Sequence, residues 1–128
     1  MVIIDTNIII DHLRQSENKA SYLMKLLKKE GKSAIYISAI SIQELFEGKS
    51  TADSGKLQYL LSVLAPISIL EYDTKIAELG GKIARDLDRP LGFANAAIAA
   101  SSIYYNCSLF TLNSKHFEGI PELELYSL

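Results

Sequence analysis

Val2-Ile3-Ile4-Asp5-Thr6-Asn7, near the start of the chain, is the stretch on which the fold turns. A short apolar run that stops at an acid reads as a buried strand with a carboxylate projecting beyond its carboxyl end. The same strand-like and helix-like alternation continues outward from it. Residues 18–30 carry helical spacing, with Tyr22, Leu23, Leu26 and Leu27 on one face, and Gly31 stops that helix. Ala34-Ile35-Tyr36-Ile37 reads as a second strand. Ser38 caps a helix over residues 39–48, which Gly48 ends. Residues 53–64 form another helix, ended by Pro66, and residues 67–70 a third strand. Asp73 caps a helix over residues 74–87. Pro90 and Gly92 break the chain before an alanine-rich helix at 94–105. Residues 108–111 read as a fourth strand, and residues 123–125 as a short last one after the turn at Gly119-Ile120-Pro121.

Short strands with interposed helices imply right-handed crossovers and a parallel sheet covered on both faces. The predicted fold class is α/β: one α/β/α sandwich over residues 1–128, with a short parallel sheet of about five strands. In such sheets ligands bind beyond the carboxyl ends of the strands, so the polar residues there become the candidates.

Composition narrows the function classes. A chain of 128 residues, 48% hydrophobic, is long enough to bury a core without disulfides or a structural metal. The single cysteine, Cys107, rules out an intramolecular disulfide framework and reads as a small core residue. Met1 leads straight into the apolar run with no basic stretch before it, and no segment approaches the length of a membrane span. A soluble cytoplasmic protein is expected, with no membrane partner. A formal charge of −2 argues against a general electrostatic nucleic-acid binder. It is compatible with a nuclease, because carboxylates grouped to hold metal lower the formal charge and the metal supplies positive charge.

Four groups of polar residues fall at the predicted sheet edge. Asp5 follows the first strand, and it can enter a crevice or simply cap the next helix. Glu44 falls between the apolar positions Ile42, Leu45 and Phe46, close to the buried boundary, where an ionised carboxylate needs a partner or a metal. The alternative is a capping box with Ser41. Asn95 opens the alanine-rich helix, as a site residue or as an N-cap. Thr111-Leu112-Asn113 follows the fourth strand and meets Asp5 if strands one and four are neighbours. His116 just beyond could ligate metal or bind phosphate, though a lone loop histidine is more often simply exposed. Together these place oxygen donors after strands one, two and four and at the start of a packed helix. Mg²⁺ and Mn²⁺ prefer oxygen donors and keep several waters.

At this point the chain resembles the PIN-domain family, and within it the VapC-type toxins of prokaryotic toxin–antitoxin pairs. Ile3-Ile4-Asp5-Thr6-Asn7 resembles the family's first motif. Residues 37–45, Ile-Ser-Ala-Ile-Ser-Ile-Gln-Glu-Leu, followed by Gly48 resemble the second. Asn95-Ala96-Ala97-Ile98-Ala99-Ala100 resembles the third, where the family usually reads Asp-Ala-x-Ile-Ala-Ala. Residues 110–117, Phe-Thr-Leu-Asn-Ser-Lys-His-Phe, with Ile120-Pro121 resemble the fourth. Four motifs in order, at family spacing, span almost the whole chain.

The resemblance implies a metal-dependent endoribonuclease using Mg²⁺ or Mn²⁺, with RNA as substrate, a cognate antitoxin as partner and a homodimer as assembly. Asp5 and Glu44 match the first two acidic positions, as catalytic residues and metal ligands. Asn113 falls where the family has Asn or Asp, and completes the metal set. Thr6 matches a supporting hydroxyl, with Asn7, Thr111 and His116 around the site. Asn95 departs from the pattern, standing where the family has an aspartate. Its amide offers a carbonyl oxygen but neither the charge that draws in a divalent ion nor a general base. Weakened metal binding and cleavage are therefore expected. Two other readings compete. In one, a catalytically weakened module mainly binds its antitoxin or RNA, with Tyr22, Leu26, Phe46 and Tyr59 as candidate contacts for a partner helix, although core packing is the commoner fate of such residues. In the other, a flavodoxin-like or receiver-type domain binds a small molecule, against which stands the lack of a glycine-rich loop after strand one.

Overall fold

The computed structural model describes residues 1–15 and 19–128. β1 (Val2–Ile4), β2 (Ile35–Ser38), β3 (Ser68–Leu70) and β4 (Ser108–Phe110) form one parallel sheet in the order β3-β2-β1-β4. Ile4 pairs with Ile37 on one side and Phe110 on the other. The register therefore brings the carboxyl ends of the three strands level, with Asp5, Ser38 and Thr111 along one edge.

The side chains of β1 alternate between two cores, as the pleat requires. Val2 and Ile4 join Ile8, Ile9, Leu23, Leu26 and Ile37 on one face. Ile3 joins Ile98, Ala99, Leu109 and Phe117 on the other. All three β1 residues are buried. An uninterrupted apolar strand is what a sheet covered on both faces demands.

Helices α1 (Thr6–Arg14), α2 (Tyr22–Glu30), α3 (Ala39–Glu47), α4 (Ser54–Leu64), α5 (Thr74–Asp86) and α6 (Phe93–Tyr104) cover the sheet. Their caps follow the sequence. The side chain of Ser38 accepts from the Ile40 amide, that of Asp53 from Lys56 and that of Asp73 from Ile76, each filling an orphan donor of a first turn. Gly80 of α5 faces the backbone of Ala96 in α6, where an added Cβ would lie 3.4 Å from the Ala96 carbonyl oxygen. The small residues thus bring α5 close to α6. Among the described residues no helix is long and apolar enough to cross a membrane.

Three expectations are corrected. The helix expected over 18–30 begins at Tyr22, because Ser21 turns its side chain onto the Met24 amide and caps it there; position 18 lies outside the described residues. The last strand expected at 123–125 shrinks to one parallel bridge between Leu109 and Leu125. Glu122 turns the chain with φ 69°, so only a brief stretch runs beside β4, bonded through Leu109 N to Glu124 O and Tyr126 N to Leu109 O. The sheet consequently has four strands rather than five. Of the four apolar residues for which core packing is the commoner expectation, Leu26 is fully buried in the core, whereas Tyr22, Phe46 and Tyr59 are exposed.

Candidate active site

Asp5 leaves β1 at the centre of the sheet's carboxyl edge and caps α1, as the capping reading of this residue expects. Its Oδ1 accepts from the Thr6 amide at 2.8 Å, and its Oδ2 accepts from the Thr111 hydroxyl at 2.7 Å. The residue is only 7% exposed. Burial raises its pKa above the ordinary carboxylate value, against the lowering pull of the Thr111 and Thr6 hydrogen bonds and of the His116 charge.

Thr6 carries the site across to α3. Its Oγ1 lies 2.6 Å from Glu44 Oε1 and 2.8 Å from Ser41 Oγ. A hydroxyl has one proton, and an ionised carboxylate can only accept. Thr6 therefore donates to Glu44, and Ser41 completes the chain by donating to Thr6. Glu44 itself is exposed rather than at the buried boundary, and the capping box does not form: Ser38 is the cap and Ser41 lies inside α3, fully buried. The spacing of Ser41 and Glu44, one turn apart on a helix face, was the sequence signal for their shared partner.

On the β4 side, Thr111 gathers the loop. Its Oγ1 accepts from the Asn113 amide at 3.0 Å, and Asn7 Oδ1 accepts from the Leu112 amide at 3.3 Å. Asn113 and His116 are both exposed; Asn113 joins this network through its backbone. Asn95 is half-buried in the first turn of α6 and is not its cap, a place held by Gly92. Its Nδ2 lies beside Gly92, about where a Cβ there would make ordinary contact. Arg89 was not singled out in the sequence. Its Nη2 donates to the carbonyls of His116 (3.1 Å) and Glu118 (2.5 Å), tying the approach to α6 to the 3-10 turn at Ser114–Phe117. Its partners are backbone groups, which leave no mark in the sequence.

The donor set suits a hard cation. Asp5 is a buried carboxylate, and the only ion pair among the described residues is Arg85–Asp86, so no salt bridge holds it and His116 acts on it only through its charge. A carboxylate has about four acceptor sites, and one hydrogen bond on each oxygen leaves room for further bonding. Only two acids, Asp5 and Glu44, stand in the network. Among the described residues no cluster of three or more His, Cys, Asp or Glu forms a ready cage. Mg²⁺ tolerates this, since it is commonly held by one or two carboxylates and keeps its waters. Beside Glu44 a groove of about 490 Å³ opens between α1, α3 and α4, lined by Ile10, Leu13, Leu45, Tyr59 and Leu60.

The PIN domain family model matches residues 2–123 of the chain. The ribonuclease VapC19 of Mycobacterium tuberculosis is 32% identical over 127 residues, covering 97% of this chain and 98% of that protein. A protein of Salmonella typhimurium named tRNA(fMet)-specific endonuclease VapC is 31% identical over 98 residues, 73% of this chain and 74% of its own. Among solved structures, DNA-bound VapBC from Salmonella typhimurium superposes with a TM-score of 0.84 at 28% identity, over 98% of this chain and 96% of that one. VapBC2 from Rickettsia felis, bound to a promoter DNA fragment, gives 0.78 at 26% identity, over 99% and 98%.

Proposed function

The chain belongs to the PIN domain family, and from that premise we propose that it is a divalent-metal-dependent endoribonuclease of the VapC type, the toxin of a toxin–antitoxin pair. The observation that carries the reading is the buried Asp5 carboxylate, held by no salt bridge and joined through Thr6 to Glu44 and through Thr111 to the loop after β4. Asp5 and Glu44 would hold the metal, with Asn95 and Asn113 completing the outer part of the site. Held by these residues, Mg²⁺ or Mn²⁺ would supply an acidified water and positive charge toward a phosphoryl oxygen.

The chain's own residues supply orientation. The Thr6 amide and the Thr111 hydroxyl fix both oxygens of Asp5, so the carboxylate needs no rearrangement when substrate arrives. Thr6 holds the exposed Glu44 against the same centre. Asn95 offers an amide where a third acid would add charge, so the site is weaker than one with aspartate there. RNA with exposed loops suits a shallow edge, and transfer RNA is the first substrate to test, because one relative is named for it.

The groove beside Glu44 favours a second component of the same reading. An amphipathic antitoxin segment would lay its apolar face against Leu13, Leu45 and Leu60 and bring a basic side chain to Glu44.

The test is an RNA cleavage assay in Mg²⁺, Mn²⁺ and EDTA on this chain, Asn95→Asp and Asp5→Ala. Cleavage that needs a divalent ion, rises on the order of tenfold with Asn95→Asp and vanishes with Asp5→Ala is expected. Absence of cleavage by Asn95→Asp in either metal would sink the nuclease reading.

A further inference from the structure

A basic and aromatic strip on α2 packs against Phe110, the last residue of β4. Lys19, Lys25, Lys28, Lys29 and Lys32 account for five of the chain's 13 Lys and Arg residues within 14 consecutive positions. All five are exposed. The only acid between them, Glu30, accepts a hydrogen bond from Tyr126 at 2.8 Å. Concentrating charge in this way sets the strip apart from a chain whose formal charge is −2.

The aromatics fix its position. Phe110 ends β4, one residue before the threonine that holds Asp5. Its ring is flanked edge-on by Tyr22 at 6.3 Å and by Tyr126 at 5.5 Å between centroids. Lys25 Nζ stands 5.1 Å from the Tyr22 ring centre and Lys29 Nζ 5.6 Å from that of Tyr126. Tyr22 is 41% exposed. Positions 22, 25 and 29 follow one helix face, while Leu23 and Leu26 are committed to the core. The outer face thus offers cations and ring surfaces beside the exposed Met24. Lysines beside aromatic rings are the chemistry that tracks a phosphate backbone and stacks unpaired bases.

We propose that Tyr22, Lys25, Lys29 and Tyr126 form a track for single-stranded RNA flanking the bond presented at Asp5 and Glu44. The track rests on the ribonuclease reading for its role, but its binding is measurable without cleavage. The strip explains how a chain of negative formal charge engages a polyanion: the approach is local, along one helix.

The experiment is fluorescence anisotropy of a labelled single-stranded RNA of about 15 nucleotides in EDTA, with salt titrated. Lys25→Gln/Lys29→Gln should weaken binding and reduce the slope of log affinity against log salt by about 1.4, at roughly 0.7 per lost phosphate contact. Tyr22→Leu, which keeps apolar bulk and removes the ring, should weaken binding with the salt slope unchanged. Lys75→Gln/Lys82→Gln on α5 should bind as the parent does, and circular dichroism checks that each variant is folded. RNA binding with this pattern but no cleavage in Mg²⁺ or Mn²⁺ would retain the track and remove the nuclease reading. Wild-type affinity and slope in both the α2 lysine pair and Tyr22→Leu, or no RNA binding by the parent, would overturn the track and assign the strip to another ligand, an acidic protein segment included.

Discussion

Thr111 donates its hydroxyl proton to Oδ2 of Asp5 at 2.7 Å, across 106 positions of sequence and two adjacent parallel strands. This bond is the seam of the site. The same Thr111 oxygen accepts from the Asn113 amide, so one side chain positions both the buried acid and the loop that follows β4. Thr111→Val keeps the shape and removes both functions. It should cost about 1–2 kcal/mol in denaturant unfolding, since a buried carboxylate oxygen loses its partner. Its Asp5 carboxyl should also titrate higher than in the parent, because the Thr111 bond holds that pKa down.

The raised pKa of Asp5 makes stability depend on pH in a defined direction. The folded state binds the Asp5 proton more tightly than the unfolded chain does. The contribution of this group therefore falls as pH rises from the ordinary carboxylate value through the raised one, and is constant above it. Asp5→Asn keeps an acceptor for the Thr6 amide and removes the charge. Its unfolding free energy should lack that fall, and at neutral pH it should exceed the parent's in metal-free buffer. Adding Mg²⁺ should raise the melting temperature of the parent and leave Asp5→Asn unmoved. Equal responses of the two proteins to Mg²⁺ would place the ion elsewhere.

Thr6 is the hinge between the two carboxylates, and a hydroxyl is what it needs. Thr6→Val should release Glu44, leave the buried Ser41 without its partner, and destabilise the fold by about 1 kcal/mol. Thr6→Ser should restore most of both cleavage and stability. A valine variant cleaving as fast as the serine one would remove Thr6 from the positioning role.

Arg89 fastens the turn at Ser114–Phe117 to the segment before α6. Arg89→Ala should cost about 1 kcal/mol, and should loosen amide protection in residues 114–118 under hydrogen exchange while leaving β1 unchanged. Uniform protection in both regions would show that packing of Phe117 alone holds the turn.

The sequence carried the elements more fully than the contacts. Apolar runs and capping residues are local signals, so Ser38, Asp53 and Asp73 are legible as helix starts from their immediate neighbours alone. The edge residues Asp5, Thr111 and Asn113 were legible because the alternation of strands and helices ranks them after strands. What each touches was not, since hydroxyl partners such as Thr6 with Ser41 arise from packing between elements. The exposure of Glu44 was misread for a related reason. Its neighbours on α3 mark a buried face, but its carboxylate reaches Thr6 from the solvent side. The 123–125 stretch has strand-like residues, and a left-handed turn at Glu122 shortens it to a bridge.

That bridge has a practical side. By lying along β4 through Leu109, the chain's last residues shield one flank of the sheet, whereas the opposite flank, β3, exposes Ile69. Trimming residues 123–128 would bare a second flank whose amides and carbonyls invite sticking between molecules. Shortened versions made for crystallisation should clump where the intact chain stays dispersed, and a purification handle is better carried at some distance from Leu125.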